Sequence, residues 1–143
     1  MQSLSTEELT LRLKAAKTIA VVGISDDPAK ASHYVSAYMQ KKGYRIIPVN
    51  PKFALRGEQL LGERCYSRLT DIPVELHPVD IVNCFRKAED ILPIATDAIA
   101  VGAKALWQQM GIDNSEATQL ALDAGMWCVS DQCLMVVHRN LLS

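Results

Sequence analysis

A glycine, two serines and a lysine follow the first apolar run of the sequence in an order that suits phosphate binding. Gly23 lies near the end of run 18–24, where it allows the backbone to turn tightly. The amides after such a turn, together with the N-terminus of a following helix, can surround a phosphate. Ser25 and Ser32 could add hydroxyl donors, and Lys30 could add a cation. This segment is therefore a candidate phosphate-binding loop, with an ordinary strand–helix turn as the alternative.

The residues after the second apolar run narrow the choice of ligand. The dinucleotide fingerprint G-x-G-x-x-G is incomplete in segment 23–28, because a serine and a proline replace its second and third glycines. Asn50, Pro51 and Lys52 stand where NAD enzymes usually carry an acid for the ribose hydroxyls. A lysine there suits a ribose that bears an extra phosphate. Coenzyme A and NADP both have one, so these residues leave both ligands open, and a solvated surface lysine is the plain alternative.

Arg86 and Gln108 follow two later apolar runs and could also reach a ligand. A guanidinium such as that of Arg86 can bind a phosphate or a carboxylate through two parallel hydrogen bonds. Gln108 could bind a ligand amide, or it could cap the next helix. Both residues are therefore candidates for a site built from the ends of strands.

Cys133 and His138 are the residues that could perform nucleophilic chemistry. A thiolate–imidazole pair can catalyse acyl transfer. Their separation of five residues suits one helical face poorly, and the sequence shows no third group to orient the histidine. Cysteines buried without a catalytic role are common. We therefore assign no catalytic residue, and a small acyl-transfer enzyme using Cys133 stays an alternative.

The composition is that of a globular chain without an electrostatic footprint for nucleic acid. Its 143 residues suit one domain, residues 1–143, and 49% of them are hydrophobic. The net charge is −1, with acidic and basic residues interspersed. No run is long enough to span a bilayer, and the N-terminus lacks the pattern of a signal peptide. We therefore expect a cytoplasmic protein that binds neither nucleic acid nor membranes.

The cysteines and histidines form no pattern typical of a metal site. The four cysteines contain no C-x-x-C pair, and the three histidines are scattered along the chain. In a cytoplasmic protein such cysteines are expected to stay reduced. We therefore expect no bound metal.

Apolar runs recur along the chain at a spacing that predicts a sheet. The runs are 18–24, 45–49, 79–85, 104–108 and 126–130. Near-continuous apolar strands that alternate with helices are typical of a parallel sheet covered on both faces. The sequence therefore predicts an α/β fold with a doubly wound, mainly parallel five-stranded sheet. Residues 52–75 look less regular, and a tail is predicted from Leu134 onward.

Helical patterns lie between these runs. An N-terminal helix is predicted over about residues 5–17, where Ser5 and Glu8 have the spacing of a capping box. Further helical patterns cover 34–43, 88–101 and 113–125. Asp113 and Glu116 have the capping-box spacing at the start of the last of these.

Five short pieces, read in order, resemble one known family. They are 21–25 (Val-Val-Gly-Ile-Ser), 48–52 (Pro-Val-Asn-Pro-Lys), 85–86 (Phe-Arg), 104–108 (Lys-Ala-Leu-Trp-Gln) and 131–133 (Asp-Gln-Cys). Together they resemble the small bacterial and archaeal CoA-binding proteins. These are similar to the N-terminal CoA-binding domain of the succinyl-CoA synthetase α subunit. The resemblance runs from about residue 15 to the C-terminus.

The resemblance implies a three-layer Rossmann-like fold and a set of ligand contacts. It implies that the phosphates are surrounded by Gly23, Ile24, Ser25, Lys30 and Ser32. It also implies that the ribose phosphate contacts Asn50, Pro51 and Lys52, and that the adenine or pantetheine path is flanked by Phe85 and Arg86. Lys30 replaces the arginine of many relatives, which keeps the charge but loses the planar fork. Val137 stands before His138 where relatives tend to have an acid, so no role is assigned to that position.

The expected function is to bind coenzyme A or an acyl-CoA as a non-catalytic binding or sensing module. The phosphorylated histidine of the synthetase lies in a second domain, so the resemblance implies no catalytic step here. An NADP-dependent oxidoreductase is an alternative, and residues 52–75 are the irregular segment that could supply its substrate pocket. The sequence leaves open a monomer, a homodimer and an unknown protein partner.

Overall fold

A five-stranded parallel sheet forms the centre of the molecule. The structure is a computed structural model that describes residues 4–142. The strands are β1 (Thr18–Val22), β2 (Arg45–Val49), β3 (Gln59–Leu60), β4 (Glu63–Arg64), β5 (Ile81–Cys84), β6 (Ala105–Gln108) and β7 (Trp127–Val129). The central sheet has the order β2-β1-β5-β6-β7, while β3 and β4 form a separate antiparallel hairpin. The predicted doubly wound, five-stranded sheet is confirmed.

Helices cover both faces of this sheet. They are α1 (Thr6–Ala15), α2 (Ala31–Lys41), α3 (Pro51–Ala54), α4 (Ile91–Ala100), α5 (Ser115–Asp123) and α6 (Leu134–Leu142). Successive strand side chains point to opposite faces. Ile19 and Val21 accordingly pack with the residues of α1, α2 and α6, whereas Ala20 packs with those of α4 and α5. The result is a three-layer Rossmann-like domain, as the resemblance implied.

The strand order fixes where the chain leaves the sheet. The chain passes from β1 to β2 on one side, then returns to β5 on the other side of β1. The chain therefore leaves β1 toward α2 on one face of the sheet and leaves β5 toward α4 on the other face. Ligands of open α/β sheets bind at such a point.

The predicted C-terminal tail and the predicted start of α5 were wrong. The predicted tail from Leu134 is helix α6, since Leu134 and His138 lie four residues apart and are both buried on its inner face. The start of α5 is capped by Asn114 instead of the predicted Asp113–Glu116 pair. Asn114 Oδ1 accepts a hydrogen bond from the Ala117 amide at 2.9 Å, three residues along the chain.

The irregular segment 52–75 contains short elements that extend the edge of the sheet. After α3 come the β3–β4 hairpin and a 3₁₀ turn at Leu69–Asp71. The Asn50 amide donates to the Tyr66 carbonyl at 2.8 Å, and the Tyr66 amide donates to the Pro48 carbonyl at 3.0 Å. This bridge holds Tyr66 and the residues after it beside the carboxyl end of β2.

The helices of the described range are short. Within residues 4–142, none is long and apolar enough to cross a membrane.

Candidate functional site

Gly23 brings the loops after β1 and β5 into direct contact. Its φ is +89°, a left-handed conformation that favours glycine. A Cβ atom at this position would lie 2.9 Å from Arg86 Cδ and 2.9 Å from the Phe85 carbonyl oxygen. The Gly23 amide donates to the Val49 carbonyl at 2.9 Å, which adds the end of β2 to the same point. Only glycine therefore allows these three strand ends to meet.

Asn50 connects the first loop to the second. Its side-chain Nδ2 donates to the Ile24 carbonyl at 2.9 Å, and its Oδ1 accepts from the Lys52 amide at 3.0 Å. The second bond caps α3, in which Pro51 occupies the first turn. Asn50 thus fixes the position of Lys52 relative to the loop that begins at Gly23.

A hollow of about 610 Å³ lies between these loops and the N-terminus of α2. We call it the α2-side hollow, lined by Gly23, Ile24, Ser25, Asp26, Asp27, Lys30, Ala31, Ser32, Asn50, Lys52, Phe53 and Phe85. The backbone amides of Ile24, Ala31 and Ser32 have no hydrogen-bond partner among residues 4–142. Unpaired amides at the start of a helix attract anions, because they add to the positive end of the helix dipole.

The two serines of the hollow are already used to shape it. Ser32 Oγ accepts from the Ser25 amide at 2.9 Å, and Ser25 Oγ accepts from the Asp27 amide at 3.0 Å. Each oxygen acts as an acceptor in these bonds, so each hydroxyl keeps its hydrogen to donate to a ligand. The serines therefore hold the loop and can still bind an anion.

The charges of the α2-side hollow nearly balance. Lys30 and Lys52 are exposed cations, and Asp26 and Asp27 line the same space. Asp27 Oδ1 accepts from the Ala29 amide at 2.9 Å, which directs that carboxylate into its own loop. The attraction for an anion must therefore come from the unpaired amides and the lysines together.

Ile24 can contribute only its backbone. Its side chain is 0% exposed and belongs to the core beneath the loop. Its carbonyl already accepts from Asn50. The predicted contact of Ile24 with a phosphate is thus restricted to its amide.

A second space of about 580 Å³ opens on the other side of Gly23, next to α4. We call it the α4-side cleft, lined by Val22, Gly23, Val49, Asn50, Pro51, Lys52, Ser67, Arg68, Leu69, Arg86, Asp90, Pro93, Ile94 and Asp97. It shares Gly23, Asn50 and Lys52 with the α2-side hollow. The two spaces adjoin at these residues beside the carboxyl ends of β1, β2 and β5, and we call them together the groove.

Arginines flank the rim of the α4-side cleft. Arg86 Nη2 lies 3.6 Å from Asp90 Oδ2, and the Arg86 side chain is 52% exposed. Arg68 binds Asp97 through two hydrogen bonds of 2.8 and 3.1 Å. Arg86 was predicted from the sequence, whereas Arg68 was missed, because the bridge through Tyr66 that brings it to this edge has no clear sequence signal.

Gln108 lies apart from the other candidates. It is fully buried, and its Nε2 donates to Thr118 Oγ1 at 2.8 Å. Its Oε1 accepts from the Asn114 amide at 2.7 Å, at the start of α5. The side chain therefore takes the helix-capping role that was one of the two interpretations, and neither the hollow nor the cleft contains it.

Cys133 and His138 make separate contacts. Cys133 packs against the core on the α1, α2 and α6 face of the sheet. His138 Nδ1 is 3.1 Å from the Tyr38 hydroxyl, and its ring packs edge-on against Tyr38 and Tyr44. Burial, together with the nearby Lys42 ammonium, lowers the pKa of His138. Within residues 4–142 no hydrogen bond joins the thiol to the imidazole.

No candidate metal site accompanies this groove. Residues 4–142 contain no group of three or more histidine, cysteine, aspartate and glutamate side chains that could hold a metal ion.

Known proteins are similar to this chain in sequence and fold. A family model described as a CoA binding domain matches residues 17–139. The Bacillus subtilis (strain 168) protein YneT is 40% identical over 138 residues, which cover 96% of this chain and 97% of YneT. The Thermus thermophilus structure of cell-free ID.343 has a TM-score of 0.91 and 38% identity, and the match covers 97% of this chain and 100% of that chain.

A larger protein contains a similar unit. The apo form of acetyl-coenzyme A synthetase 1 from Ca. Korarchaeum cryptofilum has a TM-score of 0.69 and 25% identity. That match covers 84% of this chain and 27% of the synthetase chain. The resemblance drawn from the five sequence pieces is confirmed by the family model, which spans all of them. The chain belongs to the CoA-binding domain family.

Proposed function

We propose that this protein binds coenzyme A or an acyl-CoA in the groove at the carboxyl ends of β1 and β5. The observation that carries the proposal is the junction of the α2-side hollow and the α4-side cleft at Gly23, Asn50 and Lys52. A ligand with a charged diphosphate and a long, less polar arm needs two such adjoining spaces. Membership of the CoA-binding domain family supports the same ligand.

The diphosphate is proposed to lie in the α2-side hollow. Three unpaired amides, those of Ile24, Ala31 and Ser32, are available there as donors. The hydroxyl groups of Ser25 and Ser32 add further donors, and Lys30 adds a cation. Hydrogen bonds to a charged acceptor are stronger than those between neutral groups, so this set can bind phosphate without a large net positive charge.

The ribose phosphate is proposed to bind Lys52. This lysine lines both the hollow and the cleft, and its position is fixed by the cap from Asn50. Its ammonium lies 5.4 Å from the centre of the Phe53 ring, a cation–π contact with another residue that lines the hollow. Pro51, which lines the cleft, begins the same short helix.

The α4-side cleft is proposed to hold the adenine or the pantetheine arm. Leu69, Pro93 and Ile94 give it an apolar wall, and Arg86 lies at its rim. Phe85 faces the hollow from the same loop, so Phe85 and Arg86 flank the two spaces. An apolar wall with a few polar groups at its edge is typical of small-molecule sites.

The ligand is proposed to be held and not transformed. Neither the hollow nor the cleft has a cysteine or a histidine among its lining residues in the described range. The groove therefore offers no thiolate–imidazole pair for acyl transfer. We also propose that the protein acts in the cytoplasm, and its four free cysteines support a reducing compartment.

The contact of Lys52 with the ribose phosphate can be tested with Lys52→Ala. We expect the substitution to weaken coenzyme A binding about tenfold, because a charge-assisted hydrogen bond is lost. Dephospho-CoA lacks that phosphate, so its affinity should change by less than about twofold. Isothermal titration calorimetry with both ligands measures the difference.

Lys87→Ala is the matched control, because Lys87 is exposed near the same edge but lines neither the hollow nor the cleft. It should leave both affinities unchanged. Equal losses for coenzyme A and dephospho-CoA in Lys52→Ala would contradict the assignment of Lys52.

A further inference from the structure

A basic cavity of about 390 Å³ lies at the opposite edge of the sheet from the groove. We define the basic cavity by Lys14, Lys17, Lys42, Tyr44 and His138. Lys17 directly precedes β1 and Tyr44 directly precedes β2, so the cavity lies at the amino ends of these strands. It is therefore separate from the site proposed for coenzyme A.

The ammonium groups of the basic cavity have no acidic partner, although the Lys17 backbone amide donates to Asp80 Oδ2 at 2.8 Å. No aspartate or glutamate is among its lining residues in the described range. Within residues 4–142, none of Lys14, Lys17 and Lys42 forms a salt bridge. Three cations around one space repel one another, and an anion between them would relieve that repulsion.

A buried histidine adds a directed polar atom. His138 is 5% exposed, and its Nδ1 is bonded to the Tyr38 hydroxyl. Its Nε2 has no partner among residues 4–142. Every fully enclosed side-chain nitrogen and oxygen in that range has a hydrogen-bond partner, so Nε2 must have access to solvent. His138 is among the residues that line the basic cavity.

We propose that the basic cavity is a second ligand site, which binds a phosphate-type oxyanion through His138 Nε2 and the ammonium groups of Lys14, Lys17 and Lys42. A phosphate has several acceptor oxygens, so it can accept from the imidazole and from lysines on different elements at once. The site does not depend on the proposed binding of coenzyme A.

The hydrogen bond from Tyr38 determines which ring nitrogen of His138 carries a hydrogen. When the Tyr38 hydroxyl donates to Nδ1, the neutral ring carries its hydrogen on Nε2 and donates into the cavity. When the ring is protonated, both nitrogens carry hydrogens and Nε2 again donates. A bound anion therefore selects the states in which Nε2 is a donor, which is visible in the ring resonances.

Nuclear magnetic resonance of the His138 ring tests this site in the full chain. Inorganic phosphate and pyrophosphate are titrated separately, with sodium chloride at matched ionic strength as the reference. We expect either anion to give a saturable shift of the Nε2 resonance, and chloride to give none. Tighter binding of pyrophosphate would indicate a diphosphate ligand, and tighter binding of phosphate a single phosphoryl group. Failure to saturate below roughly 10 mM, or an equal response to chloride, would overturn the proposal.

Lysine variants test whether the anion binds in the basic cavity. Lys42→Gln and Lys14→Gln should each weaken the anion about tenfold, because each removes one charge-assisted contact. Lys41→Gln is the matched control, since Lys41 is exposed at the end of α2 and is not a lining residue. Equal affinities in all three variants would contradict the site. Phosphate could instead bind only in the α2-side hollow. The amide resonances of Ile24 and Ser32 would then shift while the His138 ring resonances stayed unchanged, and this result would also overturn the proposal.

Discussion

Gly23→Ala is expected to destabilise the protein and to abolish most of its affinity for coenzyme A. A left-handed φ costs a residue with a Cβ atom about 1–2 kcal/mol. The new Cβ would also lie 2.9 Å from Arg86 Cδ and from the Phe85 carbonyl oxygen. Both atoms would have to move away from residue 23. Overpacking of this kind costs roughly 1–3 kcal/mol more. Since the displaced residues flank the groove, the binding site should be lost with the packing.

The control for Gly23→Ala is Gly125→Ala. Gly125 has the same φ of +89°, but a Cβ atom there would have no neighbour within 4 Å. This variant should therefore lose only the conformational part of the stability and should bind coenzyme A normally. Urea unfolding and calorimetric titration measure the two effects. Equal stability losses in the two variants, or intact binding in Gly23→Ala, would contradict the close approach that we describe.

Asn50→Ala is expected to have the second largest effect. It removes the cap of α3 and leaves the Ile24 carbonyl without its donor. Together these losses should reduce the free energy of unfolding by roughly 2–3 kcal/mol. The loop at Ile24 and the helix that carries Lys52 would then be free to separate. We expect coenzyme A affinity to fall more than in Lys52→Ala, as measured by calorimetric titration.

Asn114→Ala is a close match for this substitution outside the groove. Asn114 caps α5 through the Ala117 amide, and its Nδ2 donates to the Ala88 carbonyl at 2.8 Å. Its loss should cost a similar amount of stability without changing coenzyme A affinity. If Asn50→Ala and Asn114→Ala weakened binding equally, the effect of Asn50 would be one of general stability, and its role in joining the loops would be wrong.

Most of the sheet could be predicted from the sequence, because its strands are continuous apolar runs. The second run was predicted as 45–49 and is β2, Arg45–Val49. The first run was predicted to reach residue 24, but β1 ends at Val22. Gly23 turns the chain with a positive φ, and Ile24 is buried in the core below instead of continuing the strand. An apolar residue after a turn thus looked like part of the strand.

The groove was only partly predictable, since its two halves differ in how they are built. Most residues that line the α2-side hollow lie within 23–32, the segment in which the sequence predicts a phosphate-binding loop. The α4-side cleft also needs Arg68 and Ile94, which are far apart in sequence and meet through tertiary packing. Gln108 shows the opposite case. It follows a strand as a ligand residue would, but its amide is bound to Thr118 and the start of α5.

The choice between coenzyme A and NADP is the central question for this groove. Both ligands carry a phosphorylated ribose and a diphosphate, so Lys52 and the α2-side hollow suit either of them. The family of the chain favours coenzyme A.

Thermal unfolding in the presence of coenzyme A, acetyl-CoA, NADP and NAD at equal concentrations tests this choice most directly. A ligand that binds only the folded state stabilises it by about 2.7 kcal/mol at one hundred times its Kd. For a chain of this size that raises the Tm by roughly 5–10 °C. We predict such a rise with coenzyme A or acetyl-CoA and little or none with NADP and NAD. Stabilisation by NADP without any by coenzyme A or acetyl-CoA would contradict the account.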